Sequence, residues 1–96
     1  MPLLTPCAYI ICYDLKRPIT DYEPFFNELK KSDKWWHYLN STWIVLRRDA
    51  LVDLPPKLVP LIYQGDFLLI QPAKGPAQGW LPKEAWDWLN QNVPRE

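Results

Sequence analysis

The sequence predicts a single α+β domain in which helices pack on a small β-sheet. Three observations predict this class. Residues 8–14 form an apolar and aromatic run that ends in one carboxylate, which is typical of a central strand buried on both faces. Residues 20–32 carry apolar side chains at helical spacing. Further strand-like runs at 35–48 and 66–71 are separated by a proline-rich crossover at 49–63.

The composition fits one domain spanning residues 1–96 and limits the classes of function. Almost half of the 96 residues are hydrophobic (48%), which is enough for a packed core. Eleven Lys and Arg balance eleven Asp and Glu, so the net charge is zero. This balance argues against a strongly basic nucleic-acid-binding surface, although the basic residues of the first half could form a modest patch. They are Lys16, Arg17, Lys30, Lys31, Lys34, Arg47 and Arg48.

The two cysteines and the N-terminus indicate the compartment. Cys7 and Cys12 fit no zinc-binding spacing, and within one strand they would point to opposite faces, so we expect free thiols in a reducing compartment. The N-terminus has no positive leader, and no apolar stretch is long enough to span a membrane. The sequence therefore predicts a cytoplasmic protein with no membrane contact.

The first strand carries an acid to the edge of the sheet. Strand alternation puts Tyr9, Ile11 and Tyr13 on one face. The opposite face holds Ala8, Ile10, Cys12 and Asp14. Asp14 comes last, where the chain leaves for a helix, and a carboxylate there can meet solvent, a metal ion or a symmetry partner.

The first helix is predicted over residues 20–32. Thr20 or Asp21 can cap it, and Pro24 is acceptable because it falls in the first turn. Its apolar stripe is Tyr22, Phe25, Phe26 and Leu29.

Residues 35–48 are predicted to be β structure with a bend at Asn40-Ser41. These two residues could turn a tight hairpin, or they could form a bulge in one long bent strand. In either arrangement alternation puts Thr42, Ile44 and Leu46 on one face, opposite Trp43 and Val45.

The last third of the chain alternates helical turns with one more strand. The prolines of the 49–63 segment forbid a long helix, so we expect one or two short helical turns that begin at Pro55 or Pro56. Residues 66–71 are predicted to be another buried strand, and residues 72–79 a loop. A terminal helix is predicted over 80–92 with Ala85, Trp88 and Leu89 as its core stripe.

The predicted order over the core, residues 8–71, is the ferredoxin-like β-α-β-β-α-β sandwich, here with an extra C-terminal helix. The helices of that arrangement cover one face of an antiparallel sheet. Because the strands are apolar on both faces, the second face needs a cover. We expect a homodimer through that face; the alternative is a monomer capped by the terminal helix.

Several short motifs of this chain resemble a known family. The motifs are Tyr13-Asp14-Leu15 at the end of the first strand, the stretches 39–45 and 66–70, and the C-terminal Gly79-Trp80-Leu81 and 86–89. Together they resemble the CRISPR-associated small endonucleases (Cas-two) and, more closely, the SinR-like proteins and the virulence-associated protein D toxins. The resemblance spans most of residues 8–92, although each motif is short.

The resemblance implies a function and a site. In that family the acid that closes the first strand is the proposed metal ligand, and two copies of it face each other across a dimer. Carried over, Asp14 is the catalytic and metal-binding residue of a divalent-metal-dependent endonuclease that uses Mg²⁺ or Mn²⁺ on RNA or DNA, in antiviral defence or as a toxin. The structural alternative is that Asp14 caps the next turn or pairs with Lys16 or Arg17.

Other candidate site residues have structural alternatives as well. His37, the one histidine, could act as a general base or phosphate donor, or could be a strand histidine bonded to the backbone. Ser41 and Thr42 could bind phosphate, although hydrogen bonding within the turn is the common role. Basic candidates for phosphate contacts are Lys16, Arg17, Arg47 and Arg48.

The six tryptophans support a second hypothesis of a different class. They could stack the bases of a single-stranded ligand, with Trp80 and Trp86 as exposed candidates, or fill a core or an interface. The chain would then be a non-catalytic ferredoxin-like module that binds a protein partner or a small nucleotide through its aromatic residues.

Overall fold

The computed structural model describes residues 2–95 and has an α+β architecture with one four-stranded antiparallel sheet and three α-helices. The strands are β1 (Cys7–Asp14), β2 (Lys34–Leu39), β3 (Thr42–Arg47) and β4 (Phe67–Pro72). The helices are α1 (Glu23–Lys30), α2 (Pro55–Leu58) and α3 (Lys83–Asn92). Short 3₁₀ turns lie at Ile19–Tyr22, Leu51–Asp53 and Val59–Leu61.

The strand order across the sheet is β2-β3-β1-β4, and every neighbouring pair is antiparallel. β1 is therefore central, as its apolar sequence predicts, with β3 on one side and β4 on the other. Asn40-Ser41 turns a tight hairpin between β2 and β3, which decides between the two predicted forms of that segment. An irregularity in the register between Trp36 and Leu39 shows that β2 is also distorted.

The predicted helix over 20–32 is shorter in the structure and is not capped by a side chain. The chain first makes a 3₁₀ turn at Ile19–Tyr22, directly after Pro18, and becomes α-helical only at Glu23–Lys30. Neither Thr20 nor Asp21 caps it, because the α-helix begins after them and its N-cap position is Tyr22. The short α1 leaves part of β2 uncovered on the helix side of the sheet.

One face of the sheet packs against α1 and α2. Its core joins strand residues Tyr9, Ile11, Trp43 and Val45 to helix-side residues Tyr22, Phe25, Leu29, Leu54 and Leu58, all of them buried. The predicted division of strand faces is confirmed here. α2 begins at Pro55, as predicted, because proline fits the first turn of a helix.

The terminal helix α3 covers only half of the other face of the sheet. α3 packs with Ala85 on Ala8, Trp36 and Ile44, and the Trp36 indole donates to the Ala85 carbonyl at 3.3 Å. The helix starts at Lys83 rather than at residue 80, because Pro82 disfavours helical geometry in the residue before it. The sequence predicted a cap formed by the terminal helix as the alternative to a dimer. The structure shows this cap over part of the second face.

The remaining half of this second face is open to solvent, and we call it the open half-face. It consists of Cys12 and Asp14 on β1, Thr42 on β3, and Phe67 and Leu69 on β4. The strand β4 is an edge strand, with 67% of Phe67 and 58% of Leu69 exposed. The prediction that residues 66–71 are a buried strand is therefore wrong on this face, because α3 does not reach it.

None of the helices within residues 2–95 has the length and the apolar character needed to cross a bilayer.

Candidate functional site

Asp14 is the last residue of β1 and lies at the rim of the open half-face. It pairs with Phe67 of β4 across the sheet, and 63% of its side chain is exposed. Its carboxylate accepts a hydrogen bond from the Lys16 ammonium at 2.7 Å. Alternation in β1 forces Asp14 onto the same face as Cys12. The predicted site residue is therefore accessible, and within residues 2–95 its ionic partner is Lys16, two residues further along the chain.

A second acid, Asp66, lies beside this rim but has a structural role. Its carboxylate accepts from the backbone N–H of Lys16 and of Tyr63 and from the Tyr22 hydroxyl, each at 2.8 Å. Desolvation would raise the pKa of Asp66, but these hydrogen bonds outweigh it and hold the pKa below its ordinary value. Asp66 thus ties together the segments around residues 16, 22 and 63, and it was not singled out from the sequence.

Arg17 follows the same rim and stacks on an aromatic ring. Its guanidinium carbon lies 3.8 Å from the centre of the Tyr63 ring. The Arg17 backbone N–H donates to the Tyr22 hydroxyl at 3.1 Å. These contacts fix the loop between β1 and α1, and they leave the guanidinium held on the surface next to Asp66.

The β2–β3 turn also lies at this end of the sheet. The Ser41 carbonyl accepts from the Tyr13 N–H at 3.1 Å, and the Tyr13 hydroxyl donates to the Asn40 carbonyl at 3.0 Å. Thr42 donates to the Cys12 sulfur at 3.7 Å. The structure therefore brings Asp14, Ser41 and Thr42 to one end of the sheet. The hydrogen bonds of the turn are structural, which agrees with the alternative to phosphate binding that the sequence offered for Ser41 and Thr42.

His37 lies on the helix side of β2 rather than at the rim. Its Nε2 is 3.3 Å from the Asn40 carbonyl, and its ring stacks on Trp43 at a centroid distance of 4.3 Å. Because a carbonyl oxygen can only accept, a hydrogen bond between these atoms needs the tautomer that carries its proton on Nε2. The backbone contact and the stacking agree with the structural alternative for this histidine.

The two arginines Arg47 and Arg48 lie at the opposite end of the sheet from Asp14. Arg47 pairs with Cys7, which is seven residues before Asp14 along β1, a distance of roughly 23 Å. Arg48 follows it and is bonded to Asp33 at 3.0 Å. The structure therefore does not bring these arginines to the acid that the resemblance identifies.

Arg47 is buried in an ion-pair network of the core edge. Its guanidinium contacts Asp49 at 2.7 Å and Glu28 at 3.0 Å, and it also donates to the Ser32 hydroxyl. Although burial opposes the charged form of Arg47, these carboxylates outweigh it and raise its pKa. Burial likewise opposes the charged form of Asp49, but Arg47 and Lys57 outweigh it and lower its pKa. Arg47 thus serves stability.

Within residues 2–95, the side chains of one chain offer few oxygen ligands for a divalent metal at this rim. Mg²⁺ and Mn²⁺ take several oxygen ligands, and they commonly use one or two carboxylates together with phosphate and water. Among residues 2–95 no group of three or more His, Cys, Asp and Glu side chains could hold an ion. Asp14 offers one carboxylate, already bonded to Lys16, and the Asp66 carboxylate is taken by three donors. Any further ligand at this rim would come from phosphate, from water or from a second chain.

Comparisons with protein-family models, with curated proteins and with solved structures found no match to this chain. The function proposed below therefore depends on the geometry of the rim and of the open half-face, together with the resemblance of the short motifs.

Proposed function

We propose that this chain is a ferredoxin-like domain that forms a homodimer and binds nucleic acid, of the type that includes the Cas-two and SinR-like proteins. Two features support the ferredoxin-like arrangement. The order β2-β3-β1-β4 places β1 between β3, which follows the hairpin, and β4, which follows the crossover containing α2. β1 is antiparallel to both of these neighbours. The crossovers containing α1 and α2 pack on the same face of the sheet.

The single observation that carries the proposal is the position of Asp14 on the open half-face. Asp14 lies beside exposed Phe67 and on the same face as Leu69. A symmetric contact uses the same patch on both partners, so a dimer over this half-face would bring two Asp14 carboxylates to one interface. That arrangement is the one that the family resemblance implies.

A second copy of the chain is the occupant that best suits the open half-face. The strand β4 is an edge strand whose sequence, Phe67–Pro72, contains no charged residue, whereas natural edge strands are usually protected by charge, bulges or a covering element. Its exposed Phe67 and Leu69 pair with Asp14 and Cys12 of the central strand β1. The half-face therefore combines two exposed apolar side chains with an acid at its rim, and it is open to a second copy of the chain.

Metal-dependent cleavage is the second candidate function, and the exposure of Asp14 favours it. In a dimer, two Asp14 carboxylates would form the minimal donor pair for Mg²⁺ or Mn²⁺, which when bound would polarise a phosphodiester and acidify a water molecule. In a single chain, however, Lys16 already neutralises this acid at 2.7 Å. Nucleic-acid binding without cleavage therefore requires fewer assumptions than metal-dependent cleavage does. In either form we propose a cytoplasmic protein of a defence or toxin system.

Light scattering tests the dimer. At micromolar concentration the wild type should have twice the chain mass of 11.4 kDa. Leu69→Asp should give the single-chain mass, because it places a charge in the centre of the contact. The matched control is Val52→Asp, since Val52 is also apolar and exposed but belongs to the turn before α2. A wild type of single-chain mass, or a Leu69→Asp variant that stays dimeric, would refute this interface.

Labelled RNA and DNA test the nucleic-acid function. The wild type should bind single strands in a fluorescence anisotropy assay at low salt, and cleavage should be assayed with Mg²⁺, Mn²⁺ or EDTA. If cleavage occurs, Asp14→Ala should abolish it, whereas Asp87→Ala, which removes an exposed acid paired with Lys83 on α3, should not. Cleavage that survives Asp14→Ala rejects the nuclease candidate, and absence of binding to every strand rejects the proposed function.

A further inference from the structure

An aromatic cleft lies between α1 and the edge strand β2, on the opposite side of the sheet from the open half-face. Its volume is about 270 Å³. The residues that line it are Ile19, Phe26, Lys30, Trp35, His37 and Trp43. We call it the Trp35 cleft. It exists because α1 ends at Lys30 and does not cover the helix-side residues of β2.

The base of the cleft is a preformed aromatic stack. Trp43 is buried and is stacked by His37 at 4.3 Å and by Phe26 at 6.0 Å, with interplanar angles of 18° and 19°. The Trp43 indole N–H donates to the Tyr13 hydroxyl at 3.0 Å, which fixes the ring. A ligand that entered this cleft would therefore meet rigid surfaces and would lose little free energy to ordering of the protein.

Trp35 forms the exposed wall. Its ring centre is 5.1 Å from that of Trp43, and 42% of the residue is accessible to solvent. A tryptophan placed on an edge strand would usually bury its ring under a helix or in an interface. Here the ring is tilted by 40° from the plane of Trp43, and the exposed part of the side chain offers a surface against which a planar ligand can pack.

The charge at the cleft favours an anionic ligand. The Lys30 ammonium lies 5.9 Å from the centre of the Trp35 ring. Within residues 2–95 it forms no ion pair, whereas its neighbour Lys31 pairs with Glu28 at 3.5 Å. A cationic ligand of the kind held in aromatic cages would be repelled by Lys30. A phosphate or carboxylate attached to a flat ring would be attracted.

We propose that the Trp35 cleft binds one nucleobase together with its phosphate, with the base stacked on Trp35 and the phosphate next to Lys30. The volume lies just below the range of about 300–1,000 Å³ usual for small-molecule sites, which suits one base rather than a larger ligand. The base can belong to a free nucleoside monophosphate or to a single strand. The single-strand form rests on the proposed nucleic-acid function, and the free-nucleotide form does not.

The experiment measures binding of two probes. One is a fluorescein-labelled single-stranded 12-mer, read by anisotropy, and the other is a set of nucleoside 5′-monophosphates, read by NMR shifts of the indole N–H signals. Trp35→Ala should weaken binding by about fivefold or more, since stacking on an aromatic ring is typically worth about 1–3 kcal/mol per base. Lys30→Gln should weaken it by about threefold to fivefold and reduce its salt dependence.

The chain offers matched controls for both variants. Lys31→Gln removes a neighbouring lysine that already has a partner, and Trp80→Ala removes a tryptophan that is 99% exposed and lies outside the cleft. Neither should change the affinity of either probe by more than about twofold. Trp35→Phe keeps an aromatic surface and should retain most of the binding, which separates loss of stacking from loss of folding.

The outcomes distinguish this inference from the proposed function. If the wild type binds the strand but Trp35→Ala binds it equally well, the cleft is not the base site, although the nucleic-acid function stands. If the wild type binds monophosphates alone, and Trp35→Ala does not, the cleft binds free nucleotide and the proposed nucleic-acid function fails. If the wild type binds neither probe, or if Trp80→Ala is the variant that loses binding, the inference is overturned.

Discussion

Arg47 and Arg48 are adjacent and carry the same charge, but the structure assigns them very different contributions to stability. The Arg47 side chain is 7% exposed and contacts Glu28 at 3.0 Å and Asp49 at 2.7 Å. The Arg48 side chain is 49% exposed and contacts Asp33 at 3.0 Å. Replacing each by methionine keeps an unbranched apolar side chain and removes the guanidinium. The pair therefore measures what burial does to an ion pair.

The expected loss for Arg47→Met is about 3 kcal/mol of unfolding free energy. Removing one partner of a buried ion pair typically costs about 3–5 kcal/mol, because it leaves an unpaired charge out of water. The lower end applies here, since Asp49 keeps Lys57 and Glu28 keeps Lys31 at 3.5 Å. Small domains have only about 5–15 kcal/mol in total, so this loss is a large share. Arg48→Met should cost less than about 1 kcal/mol.

Urea denaturation followed by tryptophan fluorescence measures both variants. All samples need the same protein concentration, because a dimer makes the apparent stability depend on it. In thermal unfolding, the Arg47→Met midpoint should fall by about 12–24 °C, at about 4–8 °C per kcal/mol for a domain of this size. The reasoning is refuted if Arg47→Met loses less than about 1 kcal/mol, or no more than Arg48→Met does.

Three further predictions concern the buried structure. The pKa of Asp49 is lower in the folded state than its ordinary value, so the stability that Asp49 contributes is present above that ordinary pKa and is lost as the pH falls below about 4. Asp49→Asn should therefore flatten the acid side of a curve of unfolding free energy against pH. Tyr22→Phe removes a hydroxyl bonded to Asp66 and the Arg17 N–H, and should cost about 1–2 kcal/mol in urea denaturation. Ile11→Ala, at a fully buried position of β1, should cost about 4 kcal/mol; a loss below 1 kcal/mol would contradict the assigned core.

The sequence predicted those parts of the fold that local patterns determine. Alternation in β1 placed Ile11 and Asp14 on opposite faces, and the start of α2 was predicted at Pro55 or Pro56, of which Pro55 is the one observed. The same alternation along residues 43, 45 and 47 puts Arg47 on the buried face of β3. Applied to both arginines, it would have predicted a buried Arg47 beside an exposed Arg48. For Asp66 the available signal was weaker: an acid after the Gln64-Gly65 turn and directly before a strand.

The extent to which each helix covers the sheet could not be predicted from local patterns. The prediction gave the first helix residues 20–32, but the α-helical part ends at Lys30 and leaves Trp35 accessible. The sequence predicted that the second face is covered by a second copy of the chain, with the terminal helix as the alternative cover. In the structure it covers the end near Ala8 and leaves the end near Leu69 open. Both differences depend on where a helix packs, which is a tertiary property.

Stability and the proposed functions are located at different places on one sheet. The ion-pair network of Arg47 lies roughly 23 Å from Asp14 along β1, well beyond the 7–10 Å within which substitutions usually couple. The Trp35 cleft is on the opposite side of the sheet from the open half-face. Changes at the Arg47 network and at Asp14 should therefore act independently, on unfolding in one case and on association in the other. A loss of stability in Arg47→Met therefore tests the ion-pair network without testing the dimer interface.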